Sequence, residues 1–301
     1  MSHLPILKNK VTQMLITDLC GIYVDCTIGL GGHSFNILSE LNEKGLLIGL
    51  DLDPYALSMA NRKLVTLNKK YSLHNTSYEN FPKILSVLGV KKVNGFLFDL
   101  GISSYQVDSK HRGFSYMNNG DLDMRFNPND GITAKEFINK ISESELIHLL
   151  KIYGQVKHPK LIAKSILQCR NKNKMLTTDD LKNAIIPISN SYKTFSKVFQ
   201  AVRIGVNNEI EILKRTLIKL SEYMLTGGRI AIITFHSIED RIVKHFFRDS
   251  CIVDEDDYYS KQYIKNVRYK LITKKPICPD LEEIRINKRA RSAKLRIVEK
   301  I

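Results

Sequence analysis

An apolar run turns into a glycine-rich loop at Ile22-Tyr-Val-Asp-Cys-Thr-Ile-Gly-Leu-Gly-Gly-His33. The first six residues are typical of a buried strand, and the residues from about His33 to Leu41 are typical of a helix. Glycines at such a turn let the backbone approach a ligand closely, and the free N–H groups of the helix N-terminus point to the same place. A tight turn without a ligand has the same pattern, so both interpretations stay open.

The same alternation of strands and helices continues to residue 100. Apolar runs at 46–51 and 93–99 and a short segment around 71–75 predict three further strands, and helices are predicted at 54–67 and 78–88. Near-continuous apolar strands joined by helices are typical of a parallel sheet that is covered on both faces. Since such crossovers are right-handed, the pattern predicts an α/β fold with a doubly wound, Rossmann-like sheet.

The pattern changes after Ser104. A loop rich in Gly, Asn and Asp, at 108–131, leads into a long stretch of helical periodicity in which Ser142-Glu-Ser-Glu145 is typical of a capping box and Thr177-Thr-Asp-Asp180 of a looser one. We therefore expect residues 108–197 to form a helical insertion that serves as the substrate-recognition domain.

The last third of the chain returns to strands. Apolar residues keep helical spacing over 207–225, a buried strand follows at 227–235 and a helix at 238–247. Two closing strands are predicted at 269–273 and 293–298. The sequence thus predicts one α/β domain, built from 1–107 and 198–301, with the insertion between its fourth and fifth strands.

Composition limits the class of protein. With 301 residues, 43% hydrophobic and 26% charged, the chain is typical of a folded globular protein and not of a disordered one. It has no apolar run near the roughly 20 residues of a membrane span and no secretion signal, so we expect a cytoplasmic protein without a membrane partner. The five cysteines are scattered, which argues against a disulfide framework and against a metal site.

The net charge of +15 is unevenly distributed. Residues 267–301 hold 11 Lys and Arg against 4 Asp and Glu. Clustering of this kind is the electrostatic footprint of a protein with a polyanionic partner, and it favours nucleic acid. A solvated surface is the alternative, because 32 of the 46 basic residues are lysines.

Carboxylates end the second and fourth predicted strands, at Asp51 and Asp99. A carboxylate about 20 residues past the glycine turn can accept the hydroxyl hydrogens of an adenosine ribose, and open α/β sheets bind ligands at the topological switch point beside the fourth strand. The dinucleotide fingerprint needs glycine where this chain has Ser34, and a P-loop motif is absent. These features predict an adenosine-containing cofactor without a phosphate cradle, and S-adenosylmethionine fits.

Specific blocks of sequence run almost from end to end: His3-Leu-Pro-Ile-Leu7, Tyr23-Val-Asp-Cys-Thr-Ile-Gly-Leu-Gly-Gly-His-Ser34, Asp51-Leu-Asp-Pro54, Asp99-Leu-Gly-Ile-Ser-Ser104, Arg112-Gly-Phe-Ser115, Leu122-Asp-Met-Arg125, Phe199-Gln-Ala-Val-Arg-Ile-Gly-Val-Asn-Asn-Glu209, Phe235-His-Ser-Ile-Glu-Asp-Arg241 and Arg289-Ala-Arg-Ser292. In this order they resemble the bacterial 16S ribosomal RNA cytosine N(4)-methyltransferases, the RsmH (MraW) family. The chain departs from that family at Tyr153-Gly-Gln-Val-Lys157, where Gly-Glu-Glu is usual, and at Phe126, where Met is usual.

The resemblance implies an enzyme that uses S-adenosylmethionine to methylate the exocyclic amine of one cytosine in small-subunit (16S) ribosomal RNA, near the decoding site. It implies a class I methyltransferase fold and cofactor contacts at Gly31, Gly32, His33, Asp51, Phe81, Asp99 and Gln106. Two of these residues keep a structural alternative: His33 as a helix cap and Phe81 as a core residue.

The chemistry needs a hydrogen-bond acceptor at the target amine, because its lone pair is delocalised into the cytosine ring. The Asp99 carboxylate is the candidate catalytic group, and the Leu100 carbonyl is the alternative acceptor. Amino-methyltransferases usually carry [DNS]-P-P-[YFW] here, whereas this chain has Asp-Leu-Gly-Ile at 99–102. Without a cysteine at 99–104, we expect catalysis by positioning and electrostatics and no covalent intermediate.

The target base must be exposed, in a loop or flipped from its stack. Candidates for contact with the RNA are Arg112, Arg125, Arg203, His236, Arg241, Arg289 and Arg291. For each of them the alternative is a pair with a nearby carboxylate, as Arg241 with its neighbour Asp240. The acidic run at 254–257 is expected to be a solvated surface loop.

Two other functions compete with RNA methylation. One is an RNA-binding ribosome-assembly factor that keeps the cofactor fold without turnover, and the intact motif residues argue against it. The other is a methyltransferase of DNA or of a small molecule, and the basic C-terminal region argues against it. The expected partner is 16S ribosomal RNA in the small ribosomal subunit; the oligomeric state stays open, a dimer included.

Overall fold

The computed structural model describes residues 5–251 and 268–301. The acidic run at 254–257 lies outside the described residues, as do His3 and Leu4 of the first family block. None of the described helices is both long and apolar enough to cross a membrane.

Within these ranges the α-helices are α1 (Lys8–Leu15), α2 (Gly32–Glu40), α3 (Pro54–Leu64), α4 (Phe81–Val87), α5 (Ser104–Asp108), α6 (Ala134–Lys140), α7 (Glu143–Leu149), α8 (Pro159–Lys172), α9 (Thr178–Ile185), α10 (Tyr192–Asn207), α11 (Glu209–Lys219), α12 (Ser237–Ser250) and α13 (Leu281–Ile286). The strands are β1 (Ile22–Asp25), β2 (Leu46–Asp51), β3 (Tyr71–Asn75), β4 (Val93–Asp99), β5 (Met224–Thr234), β6 (Tyr269–Leu271) and β7 (Lys294–Lys300). The chain divides into two compact units, Met1–Gly101 with Ile212–Ile301, and Ile102–Glu211.

The first unit contains one sheet with the strand order β3-β2-β1-β4-β5-β7-β6. The strands from β1 to β5 pair in parallel, and β7 pairs antiparallel with both β5 and β6. The chain runs outward from β1 to β3 and then returns to the other side of β1 with β4, which makes the β1–β4 boundary a topological switch point. The predicted doubly wound, Rossmann-like α/β sheet is confirmed.

Alternate residues of the central strands enter two different cores. Val24 and Phe96 belong to the hydrophobic cluster on one face of the sheet, while their neighbours Tyr23 and Leu97 belong to the cluster on the other. All four side chains are almost fully buried. Because both faces are covered, the strands need apolar residues at every position, which explains the continuous apolar runs in the sequence.

Most predicted elements agree with the structure, and one does not. Helical spacing over 207–225 predicts a single helix, but Asn208 adopts a left-handed conformation with φ of 50° and separates α10 from α11. The helix α11 ends at Lys219, and Met224 already belongs to β5. Met224 is fully buried, so its apolar character fits a core strand as well as a helix.

The second unit is helical and has its own core. The helices α6 to α10 surround a cluster of buried residues that includes Leu122, Ile138, Leu150 and Val198. The two predicted capping boxes, at Ser142 and Thr177, are both formed and start α7 and α9. The unit spans Ile102–Glu211, so the insertion boundary predicted at residue 197 falls inside α10.

Candidate active site

Three aspartates end parallel strands at one edge of the sheet. Asp25 ends β1, Asp51 ends β2 and Asp99 ends β4, and the registers of these strands place the three residues at the carboxyl edge, around the switch point. The strand-end rule applied to the sequence gives Asp51 and Asp99 but not Asp25. It misses Asp25 because the predicted strand extends to Thr27, whereas β1 ends at Asp25.

The glycine loop between β1 and α2 folds against the end of β2. Gly31 precedes α2 with φ of 75°, and a Cβ at this position would lie 3.0 Å from the Cα of Ala60. Both facts require glycine at this position. The amide of Gly29 donates to Oδ2 of Asp51 at 2.8 Å, which fixes the loop to the next strand.

Asp25 stabilises the glycine loop by accepting hydrogen bonds from it and from the start of α2. Its side chain is 1% exposed, and it accepts hydrogen bonds from the hydroxyl of Ser34 at 2.6 Å and from the amide of Thr27 at 3.2 Å. Burial raises the pKa of Asp25 to about 6, and the two hydrogen bonds oppose this rise. Ser34, which replaces the glycine of a dinucleotide site, is therefore the residue that holds Asp25 in place.

Asp51 is held through both carboxylate oxygens. Oδ2 accepts from Gly29 and Oδ1 accepts from the amide of Asp53 at 2.9 Å. Burial also raises the pKa of Asp51 to about 6. Each carboxylate oxygen can accept a second hydrogen bond, so the group retains the capacity to receive two ribose hydroxyls.

His33 and Asp99 face each other with unused polar atoms. The imidazole is 4% exposed, and Nε2 lies 3.7 Å from Oδ2 of Asp99. Within residues 5–251 and 268–301, neither ring nitrogen of His33 has a hydrogen-bond partner, and Oδ1 of Asp99 has none. His33 therefore does not cap α2, whose first turn starts at Gly31 without a side-chain cap.

The protonation of this pair follows from its surroundings. Burial, with Lys8 nearby, lowers the pKa of His33 to about 4, so the ring is neutral at physiological pH. Burial, with Asp25 and Glu239 nearby, raises the pKa of Asp99 to about 8. A buried polar atom that lacks a partner costs roughly 1–3 kcal/mol. The arrangement is therefore typical of a site that a polar ligand completes.

Phe81 lies in the core. Its side chain is fully buried, and its ring packs edge-on against Phe96 at 5.0 Å and Tyr223 at 5.2 Å between centroids. This is the alternative that the sequence left open for this residue, and a contact of Phe81 with the adenine stays a prediction.

Gln106 belongs to the second unit and has a local role there. Its amide N–H donates to the hydroxyl of Ser103 at 3.2 Å, and its side-chain carbonyl accepts from the amide of Ser103 at 3.0 Å. This is a capping box at the start of α5. Its contact with the cofactor also stays a prediction.

Three of the seven residues predicted to contact RNA form hydrogen bonds within the second unit. Arg203 is almost buried and binds Glu209 with two nitrogens, at 2.8 and 2.9 Å. Arg125 binds Asp123 in the same way, at 3.0 and 2.7 Å. Arg112 is 4% exposed and donates to the backbone carbonyls of Arg125 and Phe126. In the structure these guanidinium groups hold loops together.

The other four candidates lie in the first unit. His236 caps α12 in a capping box with Glu239, whereas Arg241, Arg289 and Arg291 are exposed. The alternative of a pair between Arg241 and Asp240 is wrong within the described residues, because the Asp240 carboxylate binds Lys294 and Arg296, each at 2.8 Å.

Comparison with known proteins places the chain in a family. The model of the MraW methylase family matches residues 1–301. The chain is 41% identical to ribosomal RNA small subunit methyltransferase H of Caldicellulosiruptor saccharolyticus, over 99% of both chains. The identity to the protein of the same name from Clostridioides difficile is 41%, again over 99% of both chains. The chain belongs to the MraW methylase family. Membership confirms the predicted family and class of enzyme, an S-adenosylmethionine-dependent methyltransferase.

The residues of the carboxyl edge fit the cofactor of a MraW methylase. Asp51 has acceptor capacity for a ribose, as shown above. The neutral ring of His33 and the free N–H groups at the start of α2 are donors that suit a carboxylate such as that of methionine. Among the described residues there is no group of three His, Cys, Asp or Glu side chains that can hold a metal ion.

Proposed function

We propose that this MraW methylase transfers the methyl group of S-adenosylmethionine to N(4) of a cytosine in 16S ribosomal RNA, near the decoding site of the small ribosomal subunit. Its curated relatives are named as methyltransferases of small-subunit ribosomal RNA, which supports the class of substrate. We also propose that the partner is this RNA within the subunit and that the protein works in the cytoplasm.

The observation that carries this proposal is the Asp99 carboxylate at the switch point. One of its oxygens has no hydrogen-bond partner among the described residues, and its pKa is raised to about 8. In its ionised form this carboxylate is a stronger base than an ordinary aspartate, and it can accept a hydrogen bond from the exocyclic amine, which draws the nitrogen lone pair out of conjugation with the ring. As the new N–C bond forms, the carboxylate takes one proton from the nitrogen.

Three strand-end carboxylates can give the site negative charge. When bound, S-adenosylmethionine supplies an electrophilic methyl group on a positively charged sulfonium. Asp25, Asp51 and Asp99 surround the end of the glycine loop with negative potential once they are ionised. Asp51 would hold the ribose, while His33 and the start of α2 would hold the carboxylate of the methionine end. Gly31 and Gly32 would lie beside this end, and each also packs closely against the protein, Gly31 against Ala60 and Gly32 against Pro5.

Methyl transfer from labelled S-adenosylmethionine tests the proposal. The substrates are unmethylated small subunits, naked 16S ribosomal RNA and DNA, and the labelled nucleoside is identified after digestion. We expect label in N(4)-methylcytidine from the subunits and none from DNA. Label on the ring carbon would contradict the proposed acceptor chemistry, and cofactor binding without transfer to any substrate would favour the assembly-factor function.

A further inference from the structure

The second unit contains a long stretch of chain without acidic residues. Residues 146–178 hold seven Lys and Arg and no Asp or Glu. The helix α8 lies in the middle of this stretch. Its buried residues are Ile162, Ala163, Ser165 and Ile166, so its apolar face is already covered by the core of its own unit.

The opposite face of α8 presents an evenly spaced polar row in which three of the four residues are lysines. Lys160, Lys164, Gln168 and Lys172 follow each other at intervals of four residues, and all four are exposed. Residues four apart lie on the same side of a helix, and the row extends over about 18 Å. No acidic side chain in the described part of the chain forms an ion pair with these lysines. We call Lys160, Lys164 and Lys172 the lysine row.

Arg170 shows that the basic residues of α8 differ in their roles. Its guanidinium donates to the backbone carbonyls of Ile138 and Ile141, each at 2.8 Å. It therefore completes the end of α6 and contributes to the fold of the unit. Within residues 5–251 and 268–301, the three lysines of the row form no such hydrogen bond, so the described part of the fold gives no reason for their charge.

A groove runs beside the lysine row. It has a volume of about 320 Å³ and lies between α8 and the residues that follow α9. Leu161, Pro187 and Ile188 give it apolar walls, and Lys164 and Lys172 stand at its rim. Leu161 is 52% exposed, although it is apolar. The groove is open to solvent, and its volume alone lies at the lower end of the range for sites that hold small organic groups.

We propose that the lysine row binds phosphates of the ribosomal RNA and that the groove beside it receives an unstacked base of the same strand. This rests on the proposed function, because it assigns a surface for the RNA substrate. Single-stranded RNA offers regularly spaced phosphates together with apolar base faces, and the surface offers cations next to an apolar groove. A lipid surface fits less well, since it needs an exposed apolar face, and that of α8 is buried.

The first test neutralises the row. The variant K160Q/K164Q/K172Q keeps good helix formers on α8, so the fold should be retained, which circular dichroism checks. We expect affinity for unmethylated 16S ribosomal RNA to fall about tenfold or more, and the slope of log K against log salt to decrease by about 2 for three lost contacts to a single strand. The affinity for S-adenosylmethionine should not change.

A matched control removes the same charge elsewhere. Lys83, Lys91 and Lys92 are exposed in the first unit, and the last two precede β4, at the edge of the sheet opposite the aspartates. The variant K83Q/K91Q/K92Q should keep the RNA affinity and salt slope of the parent within about twofold. Equal losses in both triple variants would overturn the assignment, since only net charge would then matter.

The second test addresses the groove. The variant L161A removes apolar contact without removing charge, so RNA affinity should fall several-fold while the salt slope stays the same. Unchanged affinity would overturn the base-binding part of the proposal. Binding of poly-glutamate as tightly as RNA, with the same loss in K160Q/K164Q/K172Q, would show instead a docking surface for an acidic protein.

The outcomes separate this inference from the proposed function. If the parent protein methylates 16S ribosomal RNA and K160Q/K164Q/K172Q does so with an unchanged KM for RNA, the lysine row is not a binding surface, although the proposed function holds. If the parent transfers no methyl group to RNA, but its RNA binding depends on the row, the proposed function fails and the surface stands.

Discussion

The charged side chains singled out in the two units differ in sign and in burial. In the first unit, Asp25, Asp51 and Asp99 lie at the sheet edge, and their low exposure raises the pKa of each carboxyl group. In the second unit, the lysines of α8 are exposed, and their charges remain in water. A buried charge interacts strongly with a few atoms, whereas exposed charges are screened and act through their sum.

This difference in burial predicts how strongly each substitution affects methyl transfer, ligand binding or stability. Replacing one partly buried strand-end carboxylate should strongly impair one specific step, while replacing one exposed lysine should change little. The expected ranking therefore runs from Asp99 through Asp51 and Arg296 to the exposed arginines. Any exposed residue with an effect as large as that of Asp99 would break the comparison.

The largest effect is expected at Asp99. The variant Asp99→Asn keeps the size of the side chain but removes the proton acceptor, so we expect kcat for methyl transfer to fall by about 10²–10⁴. Single-turnover rates with pre-bound cofactor measure this step directly. RNA affinity serves as the control and should not change. A rate within about twofold of the parent would assign the acceptor role to the Leu100 carbonyl instead.

Asp51 should affect binding and not the chemical step. We expect Asp51→Ala to weaken cofactor affinity by about tenfold to a hundredfold, because it removes the acceptor for the ribose and also the anchor of Gly29. Calorimetric titration with the cofactor gives the affinity, and RNA affinity should stay nearly unchanged. Equal loss of both affinities would contradict the ribose assignment.

The buried carboxylates also predict a pH dependence. The raised pKa values, about 6 for Asp25 and Asp51 and about 8 for Asp99, mean that negative charge at the site increases as pH rises from 5 to 9. Since the sulfonium is a cation, affinity for S-adenosylmethionine should increase over this range. S-adenosylhomocysteine lacks that charge and is the matched control: its affinity should depend less on pH. Equal pH dependence for both ligands would argue against the electrostatic role.

The sequence predicts the elements of the first unit well because their signals are local. The runs at 46–51 and 93–99 match β2 and β4, since a strand with two buried faces needs a continuous apolar run. The segment at 71–75 matches β3, an edge strand whose residues are only partly buried. The end of α10 at Asn207 could not be predicted in this way. It depends on one left-handed residue, Asn208, and not on the apolar period.

The sequence predicts the candidate site less completely, because pairing between distant residues is not visible in a motif. The strand-end rule gives Asp51 and Asp99, but nothing local shows that Ser34 holds Asp25 or that Phe81 is a core residue. The clustering of basic residues in the sequence predicts the RNA-binding surface even less well. It singles out the C-terminal region, where Lys294 and Arg296 in fact bind Asp240.

Arg296 in β7 tests whether a nearly buried basic residue contributes to stability and not to RNA binding. Its guanidinium is almost buried and binds Asp240, so Arg296→Gln should lower the free energy of unfolding by about 2–3 kcal/mol. Chemical denaturation measures this change. RNA affinity, measured under conditions where the variant is folded, should be close to that of the parent. A clear loss of RNA affinity at unchanged stability would show that the buried pair is a binding group.

The smallest effect is expected at the exposed arginines of the same region. Arg289 and Arg291 are exposed, so Arg289→Ala with Arg291→Ala should change stability less than Arg296→Gln does and weaken RNA binding only a few-fold. The salt slope should decrease by about 1–2, which is what the loss of up to two phosphate contacts gives. Filter binding between low and moderate salt measures both quantities. An unchanged slope would exclude this pair as a phosphate contact, and the lysine row of α8, which forms no ion pair with an acidic side chain of the described residues, would then be the stronger candidate for that contact.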